Sequence, residues 1–232
     1  MFVVGVDGCR GGWVAAEWNT RKKTIQLKVF ASFTEVLSAY PEKLAKAIAV
    51  DIPIGLIDGS RKCDIEARAA LICRKSSVFP APYRSYVNRT DYHTTNEDSK
   101  NQFGKGISAQ AFGIYRKVAE VDGIVIPEFQ SRVIEVHPEI CFWAMNNKKD
   151  VCASKHSGPG HLQRIELLRK NIDLQDLEWE KVMTGVRRAK PDDVLDAIAA
   201  AWSARRWANG SFERFPAKEE RDSRGLRAEI VY

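Results

Sequence analysis

Phe2-Val3-Val4-Gly5-Val6-Asp7-Gly8-Cys9-Arg10-Gly11-Gly12-Trp13 runs apolar, stops at an acid and turns on three glycines. Phe2 to Asp7 reads as a short strand, and the glycines after it permit the tight or positive-φ backbone of a reversal. Trp13 to Trp18 and Thr24 to Phe30 read as the next two strands, parted by the polar turn Asn19 to Lys23. Connections this short favour antiparallel neighbours, so the chain begins with a three-stranded meander.

Outward from the meander, Phe33, Val36, Leu37, Tyr40 and Leu44 recur at helical spacing over Phe33 to Lys46. Ser32 can cap that helix with Glu35 three residues on, and Pro41 is expected to break or kink it. Ala47 to Ile52 is apolar throughout, as suits a fourth strand buried on both faces. In the middle, Asp64 to Ile72 and Ser108 to Val121 read as helices and Asn88 to Lys105 as loop. Ser76 to Arg84, with prolines at 80 and 82, can be neither a regular helix nor a central strand. Ser131 to Val136 reads as a fifth strand, Pro138 starts a helix holding Phe142 and Trp143, and Asn146 to Gly160 is a polar stretch. Gln163 to Lys170 reads as a helix. Pro191 to Asn209 is the clearest helix, with Pro first, aspartates in the first turn and Gly210 past the end. Leu226 to Tyr232 alternates like a strand. The expectation is one α/β domain over residues 1–232: a mixed five-stranded sheet flanked by helices, with an insertion-like middle at about 59–130.

A chain of 232 residues can bury a substantial core without disulfides. Its five cysteines, Cys9, Cys63, Cys73, Cys141 and Cys152, are scattered, odd in number and form no CxxC pair. All five are expected to be reduced, and no zinc ribbon or thioredoxin-type motif is present. No basic stretch precedes Phe2 to Val6 and no run nears the ~20 apolar residues of a membrane span, so a soluble cytoplasmic protein is expected. A net charge of +6 is compatible with phosphate-rich partners.

Acidic residues gather at the ends of these elements. Asp7 closes the first strand, Asp51 lies near the end of the fourth, Glu135 lies on the fifth, and Asp192, Asp193 and Asp196 open the long helix. Open α/β sheets collect sites at the carboxyl ends of their strands. Clustered carboxylates suit Mg²⁺, and a pair of such ions roughly 4 Å apart can activate water and stabilise a leaving oxygen. Asp192 and Asp193 serve equally well as helix caps. Asp196 lies one turn inside the helix, where Asp is a poor former, on the side shared with both. Ala199, Ala200 and Ser203 beside it are small enough to let the helix approach the sheet closely. Glu135 should face away from Ile134 and Val136, which a solvated strand face also explains. Arg10 is placed to reach a phosphate near Asp7, and Arg187, Arg188 and Lys190 could hold a nucleic-acid backbone; a plain charged surface accounts for them equally. His137 could tune a metal site or shuttle a proton.

Gly5-Val6-Asp7-Gly8-Cys9-Arg10-Gly11-Gly12-Trp13, Asp51-Ile52-Pro53-Ile54-Gly55-Leu56 and Ser77-Val78-Phe79-Pro80-Ala81-Pro82 resemble motifs of an uncharacterised domain family of predicted RNase H-like nucleases. Ser108-Ala109-Gln110-Ala111-Phe112, Glu135-Val136-His137-Pro138-Glu139 and Asp192-Asp193-Val194-Leu195-Asp196-Ala197 continue the resemblance in order. It implies an RNase H-like sheet led by three antiparallel strands, with a first-strand Asp beside a fourth-strand acid and acids from the last helix. Asp7 matches the first and Asp51 best fits the second. Asp193-x-x-Asp196-Ala is similar to the final-helix acids of Holliday-junction resolvases, and Glu135 is an extra acid. The resemblance implies Mg²⁺ or Mn²⁺ and a phosphodiester substrate, DNA or RNA. A metal-dependent nuclease with Asp7, Asp51, Asp193 and Asp196 catalytic is therefore the leading expectation, its metal held by these and Glu135. A non-catalytic nucleic-acid or protein-binding module of the same fold is the alternative. An ATP-binding protein of sugar-kinase or actin type ranks lower, because that architecture usually needs two such domains.

Overall fold

The computed structural model describes residues 2–232. The meander forms as expected: β1 (Phe2–Cys9), β2 (Gly12–Asn19) and β3 (Thr24–Phe30) pair antiparallel, with Asp7 opposite Val14 and Cys9 opposite Gly12. Gly11 turns the first hairpin at φ +79°, the left-handed region that favours glycine. α1 (Phe33–Ala39) starts where the Ser32 side chain accepts from the Glu35 amide and stops two residues before Pro41. β4 (Ala45–Val50) follows, two residues earlier than its apolar run suggested.

The middle region carries α2 (Lys62–Ala70), α3 (Tyr92–Phe103), α4 (Ala109–Gly113) and α5 (Tyr115–Asp122). β5 (Val133–Glu135) and α6 (Pro138–Met145) return the chain to the sheet, followed by α7 (Gly158–Asn171), α8 (Asp176–Thr184) and α9 (Pro191–Ala208). β6 (Arg214–Phe215) and β7 (Ile230–Val231) form a separate two-stranded sheet. The alternating C-terminal stretch thus contributes two strand residues, outside the main sheet.

Three expectations change. Asn88 to Lys105 is not loop: Asp91 caps α3 by accepting from the Thr94 amide, and Gly104 ends it at φ +69°. Its buried positions are Thr95 and Ser99, so it presents no apolar stripe to read. Ser108 to Val121 breaks at Ile114 into two helices. α8 was not expected at all. It buries Trp179 and Val182, and its Glu178 accepts from the Ile25 amide of edge strand β3 at 3.0 Å.

The main sheet has the order β3-β2-β1-β4-β5, with β4 parallel to β1 and β5 parallel to β4. The carboxyl ends of β1, β4 and the edge strand β5 therefore open on one side of the sheet, which carries Asp7, Asp51 and Glu135 together. One face of the sheet packs against α6 to α9, and the other against α1, α5 and the chain after β4. α9 lies so close over β1 that a Cβ on Gly5 would stand 1.9 Å from the Ala197 carbonyl and 2.1 Å from the Ala201 amide nitrogen. Ala197, Ala200, Ala201 and Ala204 supply the matching small face, all fully buried. That approach seats Asp196 beside the end of β1. Among the described residues, no helix is long and apolar enough to cross a membrane.

Candidate functional site

The site begins at the end of β1. Asp7 is 8 % exposed, and its Oδ1 accepts from the Gly8 amide at 2.6 Å, which fixes the carboxylate at the strand end. The Asp51 amide donates to the Val6 carbonyl at 3.0 Å, carrying the parallel ladder one residue past β4. The two acids are thereby held on adjacent strands. Asp196, 2 % exposed, descends from the first turns of α9. All three line one cavity of about 560 Å³.

Their electrostatics reflect that crowding. Burial, then repulsion from Asp51 and Asp196, holds the Asp7 pKa well above the ordinary carboxylate range. Asp51 is also raised, chiefly by burial. Burial pushes Asp196 up to about 7, against the attraction of Lys155. Lys155, from the loop before α7, places Nζ 2.6 Å from Asp196 Oδ2. Burial is the largest influence and works against its charge, but Asp196 together with Asp51 and Asp7 outweighs it and raises the Lys155 pKa.

Further cations stand around the carboxylates. The Lys117 side chain crosses Gly8, donates to the Gly12 carbonyl and lies 4.2 Å from the centroid of Trp13. Burial lowers its pKa. Arg74 comes within 3.8 Å of Glu139, which is itself gripped through both oxygens by the buried Arg164 at 2.7 Å. Arg164 also donates to the Ala153 carbonyl, tying the Lys155 loop to α6. His137 lines the cavity with Nε2 3.2 Å from the Ser77 carbonyl oxygen, while its buried Nδ1 has no hydrogen-bond partner.

The expected residues divide. Asp7, Asp51 and Asp196 are brought together. Asp193 is turned to the helix start, its Oδ2 accepting from the Lys190 amide at 2.9 Å, and Asp192 faces His156 at 3.5 Å. Glu135 lines the cavity but is not a free ligand. Arg61 donates to both its oxygens at 2.8 and 2.7 Å, and the Ile54 amide donates to Oε2 at 2.7 Å. Nor is it solvated as alternation suggested: it is 5 % exposed, and burial raises its pKa to about 7 against the pull of Arg61. Arg10, Arg187 and Arg188 are exposed and none lines the cavity. Arg10 sits at the hairpin tip and the other two in the connection before α9, where long side chains extend into solvent.

Lys155, Lys117, Arg74 and Arg61 are site residues that the sequence did not single out for these roles. Lys155 lies in a polar stretch with no periodicity. Arg61 had one usable signal, its position three residues before Asp64, the second acid it binds.

Two cysteines also depart from expectation. Cys73 and Cys152 form a disulfide across 79 residues of sequence, while Cys9, Cys63 and Cys141 are free and buried. Spacing could not foretell this, because the pairing depends on two loops meeting at the cavity rim.

Among the described residues, sets of three metal-ligating side chains with donors mutually within 4.8 Å are Cys63–Asp64–Glu135 and Cys73–Asp150–Cys152. Arg61 neutralises the first, and the disulfide consumes two donors of the second. The all-oxygen set of Asp7, Asp51 and Asp196 is spaced more widely, with the Lys155 ammonium at one member. Its donors are of the kind hard divalent cations take, and its excess negative charge is what such a cation would neutralise. No curated protein and no solved structure matches the chain. The model of the family described as "Protein of unknown function (DUF429)" matches residues 5–221, and the chain belongs to that family.

Proposed function

We propose that this protein is a metal-dependent phosphodiesterase acting on nucleic acid. The observation that carries the reading is the convergence of Asp7, Asp51 and Asp196 from β1, the end of β4 and α9 into one cavity. Burial, then repulsion from Asp51 and Asp196, raises the Asp7 pKa there, and a divalent cation would neutralise the crowded carboxylates. The order and polarity of the five strands support the RNase H-like relationship. Asp7, Asp51 and Asp196 would hold Mg²⁺ or Mn²⁺, which when bound supplies an activated water and stabilises the leaving oxygen.

The protein's own groups would position the substrate. Lys117 and Arg74 line the same cavity and could hold phosphate oxygens there. The cavity has the volume of a small-ligand pocket, which suits a strand end or an unpaired nucleotide better than an uninterrupted duplex.

A non-catalytic binding module is the second reading, favoured by one observation: Lys155 already supplies a positive charge to Asp196. Titrating Mn²⁺ and Mg²⁺ into chelator-treated protein by calorimetry separates the two. The first reading expects binding that Asp7→Asn and Asp196→Asn both lose, and Mn²⁺-dependent cleavage of frayed or single-stranded DNA or RNA that disappears with it. Absence of binding at millimolar metal, with or without nucleic acid, would move the non-catalytic reading ahead.

A further inference from the structure

Two cations that reach the carboxylate cavity are each tied to a half-cystine. Arg74 directly follows Cys73, and Lys155 lies three residues after Cys152. The Cys73–Cys152 bond joins the two segments across the rim, and both residues are exposed, unlike the three buried free cysteines. The first segment meets the site where Arg74 faces Glu139 and where the Ser77 carbonyl meets His137. The second delivers Lys155 to Asp196. Asp150 Oδ2 accepts from the Cys73 amide, so the polypeptides abut at the same junction.

We propose that Cys73–Cys152 is a thiol–disulfide exchange site whose oxidised form holds Lys155 against Asp196 and so weakens divalent-cation binding in the cavity. The co-reactant is a dithiol. Its thiolate attacks one half-cystine sulfur, the Cys73–Cys152 bond breaks, and the other sulfur leaves as a thiolate. The second thiol of the reductant then resolves the mixed disulfide. Two electrons pass from the dithiol to the protein, the reductant departs as a disulfide, and two protons end on Cys73 and Cys152. Solvent exposure gives the attacking thiol access, and in a reducing compartment disulfides that do form are typically sensing or catalytic ones.

The control follows from competition. An ammonium held 2.6 Å from Asp196 Oδ2 repels a divalent cation at the same carboxylate and competes with it for that oxygen. With the loop cross-linked, Lys155 is held at that oxygen. With the link open, residues 150–157 keep the Arg164 contact to Ala153 but lose the covalent tie nearest Lys155. The coupling to cation affinity rests on the metal reading above, whereas the exchange site does not.

The test uses the full chain, air-oxidised, dithiothreitol-reduced and as the Cys73→Ser/Cys152→Ser double variant. Mass spectrometry after alkylation of the folded protein should find Cys73 and Cys152 labelled only after reduction. Labelling of both in the oxidised sample would overturn the exchange site. Calorimetric Mn²⁺ titration should show the reduced protein and the double variant binding about fivefold tighter or more, the lower end of ordinary coupling between sites. Equal affinity in all three overturns the control. If no form binds Mn²⁺, the metal reading fails separately. Hydrogen exchange over residues 150–157 then judges the latch: it should quicken on reduction, and unchanged exchange defeats it.

Discussion

The Lys155 ammonium lies 2.6 Å from Asp196 Oδ2, inside the cavity where Asp7 and Asp51 also converge. Lys155 thus provides one charge against three crowded carboxylates. The neighbouring cation Lys117 is lowered in pKa by burial, and Arg74 is turned toward Glu139. The site keeps an electrostatic demand that a divalent cation or a substrate-bound one would meet.

Lys155→Ala should bind Mn²⁺ about tenfold more tightly than the natural chain, a change of ~1.4 kcal/mol, because the competing ammonium is gone. The same substitution should lower the melting temperature of the metal-free protein at pH 8 and leave it nearly unchanged at pH 5, where Asp196 holds a proton. Calorimetry and thermal melts in chelator check both. Unchanged or weaker Mn²⁺ affinity would show that Lys155 does not compete for the site.

The pH dependence of stability has a definite sign. The folded-state pKa of Asp196 lies at about 7 against an ordinary 3.8, so the folded protein holds a proton that the unfolded chain releases. That stabilisation is complete below the ordinary value and is lost as pH rises through the folded one. Asp7 acts in the same direction. The metal-free protein should therefore lose stability across this window, and saturating Mn²⁺ should restore it at the upper end. Asp7→Asn should flatten the slope and raise the melting temperature at pH 7.5 by about 2–4 °C per kcal/mol of repulsion relieved.

Arg61 and Glu135 form a buried ion pair that also includes Asp64. Arg61→Ala leaves both acids buried without their cation and should cost about 3–5 kcal/mol in urea unfolding. Glu135→Gln should also destabilise the protein. It should leave Mn²⁺ affinity within about twofold, inside the ordinary scatter for a group outside the binding shell. A tenfold loss of affinity in that variant would place Glu135 among the ligands after all.

Gly5→Ala tests the seating of α9. The added methyl would meet helix backbone at 1.9 Å, and backbone cannot swing aside as a side chain can. Loss of more than about 4 kcal/mol, or failure to accumulate as folded protein, is expected. A variant melting within a few degrees of the natural chain would mean that α9 can lift away from β1, and with it Asp196.

Much of the frame was readable because it rests on local chemistry. Three short strands joined by glycine and polar turns can hardly avoid a meander, and Pro41 ends α1 by removing a donor. Where the physics was not local, the reading failed. α3 buries Thr95 and Ser99 rather than an apolar stripe, so nothing periodic marked it. Leu226 to Tyr232 alternates correctly, yet its strand pairs with Arg214–Phe215, since alternation specifies a face and not a partner.

The amino-acid order by itself determined the α/β class, the first strand that carries Asp7, and the helix that opens with three aspartates; of the small residues read as letting that helix approach the sheet, Ala200 meets Gly5, together with Ala197 and Ala201. Only the tertiary structure decided which acids remain available. Glu135 is taken by Arg61, 74 residues away, and Asp196 is approached by Lys155. It also decided that Cys73 meets Cys152. The reason is one of range. Propensity, turns and caps act within a few residues of sequence, whereas a charge chooses its partner among groups that the fold brings within a few ångströms, here 41 residues apart for Lys155 and Asp196.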